Sequence, residues 1–490
     1  MKSEAKGLQA LPAFLALLLL AVSLVIYRLW VIGVADLTLD VEETYYLYWS
    51  AHPDLGYYSK PPMVAWLLAL STSALGTTVW GIKLVSLLLH TLTGLIIYSL
   101  GRRLYSPTVG LMAALVFLTL PIMGMMSLYT TTDAPLHFFW ALTLRLFVEA
   151  RDRQRLVWWL ATGIAAGLGL MSKYTMGMLA IGLLVYLLLD RQQRRLLINP
   201  GLWLGAATAA LVWLPNLYWN AEHGFIAFRH TAEISQLDRD LFHLDKLAEF
   251  LLPQLLIFGP VFFFVLLMLL FRPAKREGSN DSLLLWTSVP ALAIISLQAL
   301  LAEANLNWAS PAYVGASLLV AAFLTRHSWR WLIFGLVFNS SLLVGAYHYH
   351  AIAGMMGVEL SRNSTPYRKR LGWRELGEQV RPYRQQYPDA VLLSDSRGLL
   401  ALMGYYSGEW PPQVASWNPT GVIKSQYDLT VDISKSTEQT FLFLSHKPLD
   451  VEVLARFQRQ SYLGMTQHQV YPDLARSVHL YLLQGFKGYR

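Results

Sequence analysis

The chain has 490 residues, of which 55% are hydrophobic and only 14% charged, and its mean hydropathy is +0.40. These values exclude an ordinary soluble protein and, at this length, a single anchor carrying a soluble head, so the chain reads as a polytopic membrane protein. The absence of cysteine excludes disulfides, thiolate metal sites and cysteine nucleophiles, and the net charge of +8 lies in short arginine runs between apolar segments, a topology pattern rather than a nucleic-acid surface.

The charged start, Met1 to Lys6, leads into an apolar run from Leu8 to Val34 that is too long for an export signal and lacks a small-x-small cleavage site. It reads as an uncleaved first transmembrane helix with a cytoplasmic N-terminus. Further apolar runs continue to Tyr349, giving about eleven spans: 9–33, 79–100, 107–126, 133–149, 156–172, 174–190, 201–220, 247–271, 282–301, 308–325 and 329–349. Alternate crossing sorts the loops. Arg102 and Arg103, Arg151 to Arg155, Arg191 to Arg195, Arg272 to Arg276, and Arg326 with Arg330 fall on alternate connections, as cytoplasmic loops should. The opposite connections carry the unusual polar motifs, within a first outer loop 34–78, an outer loop 221–246 and shorter turns. Residues 1–350 thus form a transmembrane domain. Residues 351–490, where no run is long enough to span, form a soluble outer domain. Within it Val391–Ser394, Thr440–Ser445 and the run starting at Val478 read as buried strands, and 371–380 and 399–406 as helices, which makes a small α/β fold.

The first outer loop gathers Asp40, Glu42 and Glu43 with Tyr45, Tyr46, Tyr48 and Trp49. Asp40 with Glu43 three residues later also has the spacing of a helix capping box. Further on, Tyr58 precedes Lys60, which the following Pro61 and Pro62 hold in extended geometry, so a stiffly presented cation faces the outside and suits a phosphate. Thr130 to Pro135 resembles a helix start that would orient Asp133 at the outer face. Lys173, Arg229 and His230 are additional outer cations. His223 and His230, with a carboxylate such as Glu43, are candidates for a divalent metal ion. Glu303, Asn305, Asn307 and Trp308 form a polar and aromatic group suited to sugar hydroxyls. Jointly these residues supply a base, several cations and sugar-binding groups on one side of the membrane, as displacement of a phosphate leaving group by a hydroxyl requires.

In order and sidedness, Glu42 to Tyr46, Gly56 to Pro62, Thr132 to Pro135, Ser172 to Tyr174 and Glu303 to Trp308 resemble the GT-C membrane glycosyltransferases of the protein O-mannosyltransferase and lipid A aminoarabinose transferase (ArnT-like) superfamily. The resemblance implies an all-α polytopic GT-C domain followed by a small periplasmic α/β domain, in the bacterial inner membrane. It implies an inverting transferase that moves a sugar from a polyprenyl (undecaprenyl) phosphate donor to a hydroxyl or phosphate of an envelope lipid or glycan, lipid A or lipopolysaccharide foremost. A protein O-glycosyltransferase or a non-enzymatic lipid or sugar transporter are the alternatives. The implied roles are catalytic for Glu42, Asp40 and Asp133, donor-phosphate binding for Lys60, Lys173, Arg229 and His230, and sugar or acceptor binding for Glu43, Tyr46, Tyr58, Glu303, Asn305 and Trp308. The family pattern Asp-Glu-x-x-Tyr places Glu42 where an aspartate is usual, while Asp40 keeps the residue type two positions earlier, so both stay candidates for the base. Ser59 replaces a glutamate that precedes Lys-Pro-Pro in aminoarabinose transferases and helps them bind metal, which leaves the metal open.

Overall fold

A computed structural model describes residues 2–235, 242–408, 410–435 and 438–489. Part of the expected outer loop 221–246, namely 236–241, lies outside the described residues. The chain divides into two compact units, one formed by 1–31, 60–64 and 83–347, the other by 32–59, 65–82 and 348–490.

The first unit is helical. Every expected span contains helix, but the lengths depart from the expected eleven crossings. Among the described residues four helices are long and apolar enough to cross a bilayer alone: Leu11–Val34, Val79–Leu104, Gly278–Leu301 and Trp329–Tyr347. Two more are bent pairs, Pro107–Thr119 with Pro121–Ser127 at 66° and Leu244–Ile257 with Pro260–Phe271 at 114°. Proline accounts for both breaks, because Pro121 and Pro260 each open a new helix where a backbone donor would be missing. At the sharper one Gly259 adopts φ +90°, and a Cβ there would lie 2.2 Å from Asn339 Oδ1; Asn339 Nδ2 donates to the Phe258 carbonyl at 3.2 Å and holds the bend. Other segments are short. Leu156–Leu170 has 15 residues and Ala312–His327 has 16, rises of roughly 22–24 Å against a hydrocarbon layer of about 30 Å.

Helix Ala312–His327 occupies the centre, with every residue from Ala312 to Leu324 buried. A helix apolar on all sides belongs inside a bundle. The first helix is tied to this unit by buried Arg28, whose Nη2 donates to the Leu118 carbonyl at 2.8 Å and whose Nε donates to Tyr347 Oη at 3.1 Å. One end of the unit is laced by arginines. Arg103 and Arg145 pair with Glu149 at 3.3 and 2.7 Å, and Arg326 pairs with Glu277 and Asp281 at 2.8 and 3.0 Å.

The second unit is built on a five-stranded sheet: β1 (Val391–Ser394), β2 (Val414–Ser416), β3 (Thr440–Ser445), β4 (Phe457–Tyr471) and β5 (Leu474–Phe486), in the order β2-β1-β3-β5-β4. β1 runs parallel to both β2 and β3, and the other pairs are antiparallel. Helices Trp373–Gln386 and Arg397–Tyr406 join this sheet. The segment expected as a loop at 34–78 holds two helices, Val41–Ala51 and Met63–Leu75. Tyr45 Oη accepts the Gln426 N–H at 2.5 Å, and Tyr48 lies 4.7 Å from the Tyr427 ring. Tyr406 Oη accepts the Leu39 N–H at 2.7 Å. The tyrosines of the first loop are thus core residues of this unit.

Helix Leu156–Leu170 packs on Pro200–Glu222 through glycines: a Cβ on Gly163 would lie 2.2 Å from the Gly205 carbonyl oxygen, whereas one on Gly345 meets nothing within 4 Å. Close backbone approach through small residues is a common basis of membrane-helix packing. Gly163→Ala is expected to lower stability by about 1–3 kcal/mol, read as a reduced melting temperature in detergent, with Gly345→Ala unchanged. Equal melting of the two variants would refute this packing.

Candidate active site

In the helical unit the polar residues converge on Asp133. It opens helix Asp133–Arg153, as the helix start expected at Thr130 to Pro135 requires, although the N-cap Thr132 makes no side-chain cap. Instead the carboxylate turns inward: Oδ1 accepts from Lys173 Nζ at 2.6 Å and Oδ2 from Asn307 Nδ2 at 3.1 Å. Both charged side chains are nearly enclosed, at 4% and 11% exposure. One turn along the same helix, His137 Nε2 lies 2.8 Å from Ser310 Oγ, and its Nδ1 lies 3.4 Å from His90 Nε2. His90 Nδ1 meets the Ser86 carbonyl at 2.9 Å. A carbonyl only accepts, so with neutral rings His90 donates from Nδ1, His137 donates from Nδ1 to His90, and Ser310 donates to His137. This chain fixes the Asn307 to Ser310 turn beside the carboxylate.

Lys60 belongs to the same unit, and its segment is joined to that of Lys173 where the Met63 N–H donates to the Met171 carbonyl at 3.0 Å. Arg229 is exposed, with its guanidinium against Gly224. His230 lies 3.9 Å from Glu233 on its own helix. His223 stacks on Trp219 at 4.0 Å and uses Nδ1 toward the Trp219 carbonyl at 2.8 Å. Among the described residues no three His, Cys, Asp or Glu side chains gather in a way that would hold a metal ion, so Glu43, His223 and His230 are not assembled as a ligand set. Glu303, Asn305 and Trp308 line a cavity of 430 Å³ with Lys246 and Glu249.

In the second unit Asp40 caps helix Val41–Ala51. Its Oδ1 accepts the N–H groups of Glu42 and Glu43, each at 3.0 Å, and Glu43 Oε2 accepts the Asp40 N–H at 3.2 Å. The capping box is complete, and Asp40 Oδ2 also pairs with Arg370 at 2.8 Å. Glu43 is fully buried by this role, and Tyr46 is buried against Trp49 at 4.9 Å. Glu42 differs. Its side chain is 42% exposed and pairs with Arg397 at 2.8 Å. Arg397 also lies 4.8 Å from the centre of the Tyr45 ring. Burial works against the Arg397 charge, but the Glu42 carboxylate and the Tyr45 oxygen outweigh it and hold the guanidinium above its ordinary pKa. Tyr58 is buried, its N–H donating to Gln426 Oε1 at 2.8 Å.

His90, His137 and Ser310 were not expected from the sequence. The available signals were ionisable residues inside apolar helices and the i, i+4 spacing of Asp133 and His137.

Residues 59–219 match the family described as Dolichyl-phosphate-mannose-protein mannosyltransferase. The lipid A galacturonosyltransferase RgtD of Rhizobium johnstonii is 28% identical over 466 residues, covering 92% of this chain and 96% of that protein. The undecaprenyl phosphate-alpha-4-amino-4-deoxy-L-arabinose arabinosyl transferase of Pseudomonas savastanoi pv. phaseolicola is 29% identical, with 56% of this chain matching 52% of its length. Among solved structures, ArnT from Cupriavidus metallidurans bound to undecaprenyl phosphate superposes with a TM-score of 0.65 over 94% of this chain and 97% of that one, at 15% identity. The chain is a membrane glycosyltransferase of GT-C fold. Its fold is similar to that of ArnT, as its motifs implied.

Lys173→Met would leave the Asp133 charge buried without its cation, a loss of about 3–5 kcal/mol. The double variant Lys173→Met/Asp133→Asn is expected to recover part of it. Thermal unfolding of the purified variants checks this, and a double variant no more stable than Lys173→Met would count against the pair.

Proposed function

We propose that this protein transfers a sugar, with inversion, from a polyprenyl-phosphate donor to a hydroxyl or phosphate of an envelope lipid or glycan, lipid A or lipopolysaccharide foremost, at the periplasmic face of the bacterial inner membrane. The observation that carries this reading is the nearly end-to-end likeness to a lipid A galacturonosyltransferase. In this reading the two units are a membrane-crossing body of about eleven passages and a periplasmic domain.

The residues divide the chemistry among them. Glu42 is the working carboxylate, because it projects into solvent from a capped helix, whereas Asp40 is spent on two helix N–H groups and Arg370. Arg397 orients Glu42. When the acceptor is a hydroxyl, Glu42 takes up its proton as the oxygen attacks the sugar. The bond that breaks joins the sugar to a phosphate, which leaves as a stable monoester and needs no acid, only countercharge. Lys60 and Lys173 supply that charge, with Arg229 and His230 as further cations. Asp133 serves by holding Lys173 in place. Glu303, Asn305 and Trp308 bind sugar hydroxyls.

A second reading, transfer to protein hydroxyls, is favoured by the match of 59–219 to protein mannosyltransferases. Mass spectrometry of envelope lipids and proteins from cells with and without this chain separates the two. The expected result is one glycosyl mass missing from a lipid fraction; loss confined to proteins would select the second reading, and no loss from either would overturn both. In the same assay Glu42→Gln is expected to reduce transfer by at least ~100-fold with normal membrane insertion. Asp40→Asn is expected to lower the amount of folded protein and to keep activity in proportion to it.

A further inference from the structure

The order β2-β1-β3 places β1 between two parallel neighbours. The chain leaves β1 through helix Arg397–Tyr406 to reach β2, then returns past β1 to β3. The connections thus diverge between β1 and β3, and open α/β sheets bind ligands outside the carboxyl ends of their strands at such a point. A cavity of 630 Å³ lies there, a size suited to a small molecule. Its walls come from the residues that follow all three strands: Asp395 and Arg397 after β1, Ser416 to Thr420 from the end of β2, and Ser445 with Lys447 to Asp450 from the end of β3.

The lining names the ligand class. Lys424 and Lys447 are exposed, and neither has an ion-pair partner among the described residues. Asp395 and Asp450 are exposed on the same walls. A ligand that was only an anion would meet repulsion from these carboxylates, and a neutral sugar would leave both ammonium groups unanswered. A molecule bearing hydroxyls and one anionic group answers both. The wall holding Lys424 is preorganised, since Asp428 Oδ2 accepts from the Lys424 N–H and from Ser425 Oγ, each at 2.9 Å. The half-buried Trp417 ring, packed on Tyr489 at 4.9 Å, supplies an apolar side.

We infer that this cleft is a binding site for an anionic saccharide, with Lys424 and Lys447 receiving the anionic group and Asp395 and Asp450 accepting sugar hydroxyls. None of the carboxylates and lysines given roles in transfer lines the cleft, and Arg397 touches both the cleft and Glu42.

The test uses the full chain in nanodiscs of zwitterionic lipid, without any donor, so that its outcome does not depend on transfer activity. Binding of glucose 6-phosphate, glucose and inorganic phosphate is measured by calorimetry. Glucose 6-phosphate is expected to bind at least tenfold more tightly than either half. The double variant Lys424→Gln/Lys447→Gln, altered only at exposed positions, is expected to melt like the parent and to lose that affinity at least tenfold. Undiminished affinity in the variant would place any binding elsewhere and overturn the site. Phosphate binding as tightly as the phosphosugar would overturn the saccharide assignment, and no binding of any probe would overturn both.

Discussion

A carboxylate enclosed by apolar protein must be met by donors or a cation, and Asp133 shows how much follows from that one requirement. It needs Lys173, and so the turn after helix Leu156–Leu170 must stand beside the start of helix Asp133–Arg153. It needs Asn307, and so the irregular segment before the central helix is drawn to the same place. The histidine chain from Ser310 to Ser86 then fixes that segment to helix Val79–Leu104. Four separate stretches of sequence are thereby brought into register by the satisfaction of one charge, in a setting where hydrophobic burial alone is a poor guide to helix position.

The same requirement explains the division of labour at Asp40, Glu42 and Glu43. Three acids in four residues repel one another unless each finds a different partner. Asp40 takes the helix end and Arg370, Glu43 takes the Asp40 N–H, and Glu42 takes Arg397. The outcome is a short helix whose first turn is anchored on both sides of the one acid that faces solvent.

The sequence was most legible where local chemistry decides structure. The capping box at Asp40 and the buried strands Val391–Ser394 and Thr440–Ser445 followed from spacing and composition. Span length was less legible, because hydropathy reports how apolar a run is and not where proline or a glycine at positive φ will fold it back, as at Gly259. β4 was invisible because it has no buried apolar run: Gln458 to Ser461 are exposed and polar. Nothing local in the sequence marks the tyrosines of the first loop as buried, and only tertiary partners such as Gln426 and Tyr427 distinguish them as core. The Asp133 constellation was half legible: Asp133 and Lys173 stood out as charges, but their pairing and the histidines behind them depend on contacts between segments far apart in the chain.

The second unit is assembled from pieces at both ends of the sequence, 32–59 and 65–82 with 348–490. Its first pieces leave the ribosome long before the sheet that covers them exists. At synthesis rates of about 5–20 residues per second, Tyr45, Tyr48 and Trp49 wait roughly 20–75 s for Gln426 and Tyr427. During that interval the helix Val41–Ala51 has its cap but no floor. The order of events in biogenesis is therefore built into the connectivity: the helical body can be inserted as it is made, while the loop that carries Glu42 takes its final form only after the last third of the chain has been released.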